Sequence, residues 1–173
     1  MGIAYQADTR IMSTKSVGVI VLGDDQKSVL LQKREDFRVW SIPAGRMENG
    51  ETQEETGIRE TREETGYLVQ PGQFVGEYWR PQMPHGGDLL YVYAGHVTGG
   101  NPEDRGWESV AVDWFDVDQL PRNTVRFTRE YLADLKGGNL PVKKTQVLPW
   151  WYISLLRVGF FFRNIRNHVL GRS

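Results

Sequence analysis

Val17, Val19 and Val21 alternate around Gly18 and Ile20, and Val29, Leu30 and Leu31 follow as a short continuous apolar run. Both patterns read as strands within residues 16–33, and Gly23-Asp24-Asp25 between them is turn chemistry, so the pair is predicted as a hairpin. Pro43, Gly45 and Gly50 make residues 34–50 mostly loop after a short Trp40–Ile42 strand. From Thr52 to Thr65 helix formers dominate. Thr52 with Glu55 three residues on forms a capping box, and Gly66 is a natural helix stop. Phe74–Trp79, Leu89–Val97 and Val110–Phe115 are strand-like and separated by Pro and Gly clusters, while Thr128–Leu135 is predicted helical. The order of elements predicts an α+β domain, an α/β/α sandwich around one mixed sheet.

The chain's 173 residues are most simply one domain, large enough to bury a core without staples. At 39% hydrophobic and 25% charged residues it has the composition of a soluble globular protein. A formal net charge of −1 advertises no affinity for nucleic acid or membrane. Cysteine is absent, which excludes disulfides, thiolate nucleophiles and cysteine-ligated zinc and fits a reducing cytosol. Residues 1–15 lack a basic start followed by an apolar run, so no secretory signal is expected, and no stretch reaches the ~18 apolar residues of a spanning helix. The expected location is cytoplasmic.

Residues 51–66 hold six acids (Glu51, Glu54, Glu55, Glu60, Glu63, Glu64) against Arg59 and Arg62. In a helix, Glu60, Glu63 and Glu64 fall within about a 100° arc of one face. Like charges at these spacings cost ~0.2–0.5 kcal/mol per pair, and the last helical turn disfavours negative charge. A cation on that face would offset both penalties, and hard oxygen ligands select Mg²⁺ or Mn²⁺. Ile58, Thr61 and Thr65 lie on a different face and are expected to meet the core. A solvated acidic face is the plain alternative.

The loop before the helix shifts that balance. Gly45, Glu51, Arg59-Glu60, Glu63-Glu64 and Gly66 stand at the spacing G-x5-E-x7-R-E-U-x-E-E-x-G-U, and all seven fixed residues match. In this the sequence resembles the Nudix hydrolase family; the two bulky apolar positions hold Thr61 and Tyr67, looser than the family's norm. Thr61 is expected to weaken helix packing without touching the ligand set. The resemblance spans roughly residues 16–135 and implies the Nudix fold, a mixed sheet between helices with the box as loop–helix–loop.

The resemblance further implies that Glu60, Glu63 and Glu64 ligate divalent cations, with the Ala44 carbonyl as a further ligand. Arg59 would pair with Glu51 and hold the loop to the helix, while Gly45 and Gly66 supply backbone freedom. The implied activity is cleavage of a diphosphate by metal-activated water. In several members a proton-accepting acid sits on a loop before a late strand with a tryptophan; Glu108 ahead of Trp114 is the choice here, with Glu103 and Asp104 as rivals and Glu60 as a further candidate base. Glu60, Glu64 and Glu108 are thus the expected catalytic group. A Nudix module that senses a nucleotide without turning it over is the rival of another class, and loss of a box glutamate would favour it; none is lost.

Substrate signals lie outside the box. Ala44 and Pro81 resemble markers of the branch acting on ADP-ribose and nucleotide sugars, whereas Trp40 is more typical of the branch acting on nucleoside triphosphates. Arg34, Arg46 and Arg80, with Trp40, are the expected substrate contacts, and Tyr78, Trp79 or Tyr91 are candidates to stack a base. Composition divides the chain into a domain over residues 1–138 and an extension over residues 139–173. Residues 135–173 contain seven bases and no acid, leaving −8 on residues 1–134. Trp150, Trp151, Tyr152 and Phe160–Phe162 are interleaved with the bases. Three readings stay open: a helical tail packed on the domain or on a homodimer mate, a peripheral contact with anionic membrane, and, least favoured, a nucleic-acid contact.

Overall fold

A computed structural model describes residues 13–83 and 86–148. The basic aromatic segment 149–173, with its helical and membrane-surface expectations, lies outside the described residues. In chain order the elements are β1 (Thr14–Leu22), β2 (Ser28–Arg34), β3 (Trp40–Ser41), β4 (Ala44–Arg46), α1 (Gln53–Thr65), β5 (Tyr67–Arg80), β6 (Asp88–Gly100), β7 (Ser109–Asp116), α2 (Arg126–Gly137) and β8 (Val142–Thr145). A 3₁₀ turn covers Pro102–Asp104.

All eight strands join one mixed sheet. Its main path runs β3-β2-β1-β6-β5-β8, with β4 paired to β1 and β7 to β2. β1 lies parallel to β6 over its whole length, and β5 and β6 form a long antiparallel hairpin. The predicted first hairpin exists only at its turn end, where Leu22 faces Val29. Beyond that the two strands part: β4 takes the free edge of β1, pairing Ala44 with Gly18, and β7 takes that of β2. This split admits the loop that carries the chemistry.

Residues Ser16–Val21 of β1 are buried without interruption, as expected of a strand covered on both faces. On one face Ile20, Tyr78, Leu90 and Val92 pack with Tyr131 and Leu132 of α2. On the other, Val19, Val21, Leu30 and Val69 form a smaller cluster on α1's side of the sheet. The result is the predicted α/β/α sandwich.

The face that α1 turns to the sheet is small and polar: Thr56, Gly57, Thr61 and Thr65 are buried, whereas Ile58, expected in the core, is half-buried. Gly57 allows the approach, because a Cβ there would lie 3.0 Å from Val19 Cγ2. Thr61 fits by donating its hydroxyl to the Gly57 carbonyl at 2.7 Å, and Thr65 donates to Thr61 at 2.5 Å, so neither buries an unpaired hydroxyl. Thr61, in a position where the box norm is bulky and apolar, is thus buried with its hydroxyl satisfied inside the helix. The capping box at Thr52 and Glu55 and the left-handed Gly66, φ +78°, stand where the sequence placed them.

Residues 139–148, assigned by composition to the extension, pack on the domain. β8 runs parallel to β5, Tyr131 donates its hydroxyl to Gln146 at 3.0 Å, and Gln146 donates to Glu130 at 2.8 Å. Two adjacent lysines, Lys143 and Lys144, in a four-residue edge strand gave no apolar signal for this element. Among the described residues, no helix is long and apolar enough to cross a membrane.

Two glycines test the packing with opposite sign. Gly57→Val should destabilise by about 1–3 kcal/mol through overpacking against β1. Gly137→Ala, at a position with open space around it, should stabilise by about 0.4–1 kcal/mol by restricting the unfolded chain. Urea melts of both variants check the pair, and a tolerated valine at position 57 would contradict the tight contact.

Candidate active site

The site grows from the loop between β3 and α1. β4 hydrogen-bonds to β1, and the Val19 amide donates to the Pro43 carbonyl at 3.1 Å, which fixes the chain just before Ala44. The loop then meets α1 through Arg59. Its Nε and Nη2 donate to the two oxygens of Glu51 at 2.7 and 2.9 Å, and Nη2 also reaches the Arg46 carbonyl at 2.9 Å. Nη1 donates to Glu60 at 2.8 Å and more weakly to Glu63 at 3.4 Å. Glu51 accepts two further bonds, from the Glu48 amide and the Thr56 hydroxyl, both at 2.9 Å. With Arg59 foremost among these partners, the Glu51 carboxyl is held down at about 2.

Gly45 does something other than the backbone freedom expected of it. The Glu60 carboxylate lies flat on its Cα, and a Cβ would fall 2.0–2.1 Å from all three carboxyl atoms. Its φ is not in the left-handed region. The fixed glycine is a requirement for close approach.

Glu64 is buried, with 6% of its surface exposed, and accepts a 2.8 Å bond from the Ala44 amide. Burial pushes its carboxyl up to about 8; the Ala44 bond and the nearby Arg34 oppose that rise, and Glu60 and Glu108 add to it. Glu60 is raised for the same first reason, desolvation, which Arg59 counters. Glu108 is exposed, yet its charge bears on both Glu60 and Glu64. Its backbone carbonyl accepts the Glu35 amide at 2.8 Å, which ties the loop before β7 to the end of β2. A small hollow between Arg34, Glu64, Trp107 and Glu108 joins these groups. Glu63 points outward with 59% of its side chain exposed. Glu103 and Asp104, the rivals of Glu108, sit exposed on the 3₁₀ turn and do not line that hollow.

Among the described residues, no three acidic side chains converge tightly enough to cage a cation alone. The donor chemistry still fits one. A buried Glu64 whose charge lacks full compensation is the environment in which a divalent cation stabilises a carboxylate, and Mg²⁺ keeps several waters and needs few protein ligands. The residues that would hold it are Glu60, Glu63 and Glu64, all hard oxygen donors. The Ala44 contact seen here is through its amide, with the carbonyl left as the expected further ligand.

Beside the loop opens a cavity of about 300 Å³ that Ala44 and Gly45 line together with Arg34, Arg46 and Arg80. Three of the four expected substrate contacts thus share one chamber. Trp40 does not: it packs edge-on against Phe115 at 4.7 Å, with the Lys33 ammonium 5.7 Å from its ring. Tyr78 is fully buried and donates to Asp134 at 2.9 Å, Tyr91 packs near Phe74, and Trp79 lies against Gly87. None of these lines the chamber. Its aromatic walls are Phe37, Phe127 and Tyr131, and its floor carries Ser16 and Asp88. Nothing local marked the aromatic walls. Asp88, an acid at the head of the apolar strand Leu89–Val97, was the one visible signal.

The two carboxyls predict opposite pH responses. Glu51 lies below its ordinary 4.5, so its stabilisation is present above pH 4.5 and is lost as pH falls through about 2. Glu64 lies above 4.5, so the metal-free fold is penalised progressively as pH rises from 4.5 through about 8. Glu51→Gln should therefore lower the Tm at pH 7 and cease to matter near pH 2, while Glu64→Gln should raise the metal-free Tm at pH 8 more than at pH 5. Melting curves across pH in chelator check both, and equal shifts at all pH values would contradict the assignment.

The family model described as NUDIX domain matches residues 12–135. A Bacillus subtilis protein carrying the provisional name 8-oxo-dGTP diphosphatase is 35% identical over 141 residues, 79% of this chain and 92% of that protein. An ADP-ribose pyrophosphatase of Methanocaldococcus jannaschii is 30% identical over 105 residues, 59% of this chain and 62% of that one. Among solved structures, a NUDIX hydrolase from Nitrosomonas europaea superposes with a TM-score of 0.64 at 25% identity, covering 85% of this chain and 82% of that one. With an unbroken box on the helix and loop where the fold requires it, the chain belongs to the Nudix hydrolase family, enzymes acting on phosphoric anhydrides.

Proposed function

We propose that the chain is a Mg²⁺- or Mn²⁺-dependent pyrophosphohydrolase that cleaves the diphosphate of a nucleoside diphosphate derivative such as ADP-ribose or a nucleotide sugar. The observation that carries the reading is the buried Glu64 bonded to Ala44, with Glu60 against Gly45, where Ala44 and Gly45 also line the chamber that holds Arg34, Arg46 and Arg80. A bound divalent cation supplies polarisation of the phosphoryl oxygen and a more acidic water. Glu60, Glu63 and Glu64, with the Ala44 carbonyl, would hold it. Arg59 does not react: its bonds to Glu51, Glu60 and the Arg46 carbonyl keep the loop at a fixed distance from the helix. Arg34 and Arg46 offset phosphate charge at the chamber. Glu108, exposed and close enough for its charge to act on Glu64, accepts the proton of the attacking water. The products are a nucleoside monophosphate and a sugar phosphate.

A second reading, a nucleoside triphosphate as substrate, is favoured by the name of the Bacillus subtilis relative. Trp40, the sequence signal for that branch, is taken up by packing and supports neither.

Turnover is expected to require Mg²⁺ or Mn²⁺ and to vanish in chelator. Glu64→Gln should lower kcat at least ~10²-fold, and Glu108→Gln by a similar factor through loss of proton transfer. Wild-type turnover that survives chelation would end the metal reading, and a fully active Glu108→Gln would move the base to Glu60. For the substrate, kcat/KM for at least one of ADP-ribose, UDP-glucose and GDP-mannose should exceed that for dGTP and 8-oxo-dGTP by tenfold or more, with products separated by chromatography. The reverse ranking selects the triphosphate reading.

A further inference from the structure

The floor of the 300 Å³ chamber is built from three strands that end together. Ser16 of β1 donates its hydroxyl to Asp88 Oδ1 at 2.7 Å, and Arg80 of β5, cross-strand partner of Asp88 on β6, donates through Nη2 to Oδ2. Asp88 is 5% exposed. The arrangement is unfinished in one respect: Arg80 Nε is buried and has no hydrogen-bond partner.

A buried ion pair kept only for stability gains little over apolar packing, and it is weaker still when one of its donors is unsatisfied. Arg80 nevertheless lines the chamber with 20% of its side chain exposed, so a guanidinium N–H that Asp88 does not engage can meet a ligand acceptor. The neighbouring carboxylate has the complementary property. A carboxylate offers about four lone-pair sites, and Ser16 and Arg80 account for two contacts, so it can still accept from a ligand N–H. One open donor beside one acceptor matches an edge that places a carbonyl next to a ring N–H. The side walls, Phe37, Phe127 and Tyr131, suit a flat ring.

We infer that this chamber is the nucleobase pocket and that Arg80 and Asp88 are its specificity-determining pair, selecting a base with a carbonyl beside a ring N–H, as in guanine or uracil, over adenine. The inference rests on the reading of the chain as a nucleotide pyrophosphohydrolase. It reassigns Arg80 from phosphate contact to base recognition, leaving Arg34 and Arg46 for the phosphates. Arg80 donates to the carbonyl and Asp88 accepts the ring N–H. Adenine would instead bring its unprotonated N1 toward the carboxylate. Guanidinium groups pair commonly with guanine carbonyls, whereas adenine is more often read by amides.

The test is binding of the mononucleotide products GMP, UMP and AMP to the full chain by calorimetry in Mg²⁺, which does not depend on turnover. GMP or UMP should bind at least about tenfold more tightly than AMP, and which of the two does so identifies the base. Asp88→Asn and Arg80→Lys should each bring that ratio within about threefold, which a merely structural pair would not do. Equal or tighter AMP binding, no binding of any of the three at millimolar concentration, or a ratio unchanged in both folded variants would overturn the proposal. If a variant does not fold, the wild-type ranking still decides. A chain that ranks the bases but hydrolyses no nucleotide keeps this pocket and loses the hydrolase reading; hydrolysis without ranking does the opposite.

Discussion

The guanidinium of Arg59 ties together two pieces of chain that offer each other little apolar surface. One is a short loop with little apolar content, and the other is a helix whose buried face is threonine and glycine. Its bonds to Glu51 and to the Arg46 carbonyl set how far the loop stands from the helix, and its bond to Glu60 sets where that carboxylate rests. Gly45 then becomes the one position that can pass the carboxylate, since any Cβ would overlap it. Once the loop is seated there, the Ala44 amide reaches Glu64, and the mouth of the chamber forms from the same residues.

The electrostatics follow from where each carboxyl sits relative to that lock. Glu51 is surrounded by donors and stays ionised far into acid, so it acts as a stable anchor. Glu64 is buried with one amide and a nearby arginine for company, and is held toward its neutral form. Two chemically similar residues thirteen positions apart thus do opposite work. The first gives the loop rigidity at little energetic risk. The second is an unfavourable burial, and a cation bound there would relieve it, which would link metal affinity to fold stability.

The sheet contributes by splitting. If β1 and β2 paired along their full lengths, there would be no edge for β4 and no entry for the loop. Their separation beyond the Leu22–Val29 pair lets β4 dock on β1 and lets β7 dock on β2, carrying Glu108 toward Glu64. On the far side of that loop the ends of β1, β5 and β6 converge to form the chamber floor. The carboxylate cluster and the chamber therefore draw on neighbouring parts of one sheet.

Most elements were legible because their signals are local. Alternating valines, a capping box and a terminal glycine act over a few residues, and the box spacing placed Glu60, Glu63 and Glu64 on one helix before any fold was known. The sequence by itself thus determined the fold class, the family and the acidic helix. What it did not contain was which of those acids is buried, because burial depends on β4 and its Ala44 arriving from a strand edge about twenty residues away. Nor did it show that Trp40 faces Phe115 instead of substrate, that Ile58 stays half-buried, or that Val142–Thr145 completes the sheet. The same holds for the chamber: Ser16, Arg80 and Asp88 are distant along the chain and meet only because three strands end at one place. Tertiary structure decided these points because side-chain environment is set by long-range pairing, and a residue's own neighbours in sequence carry no record of it.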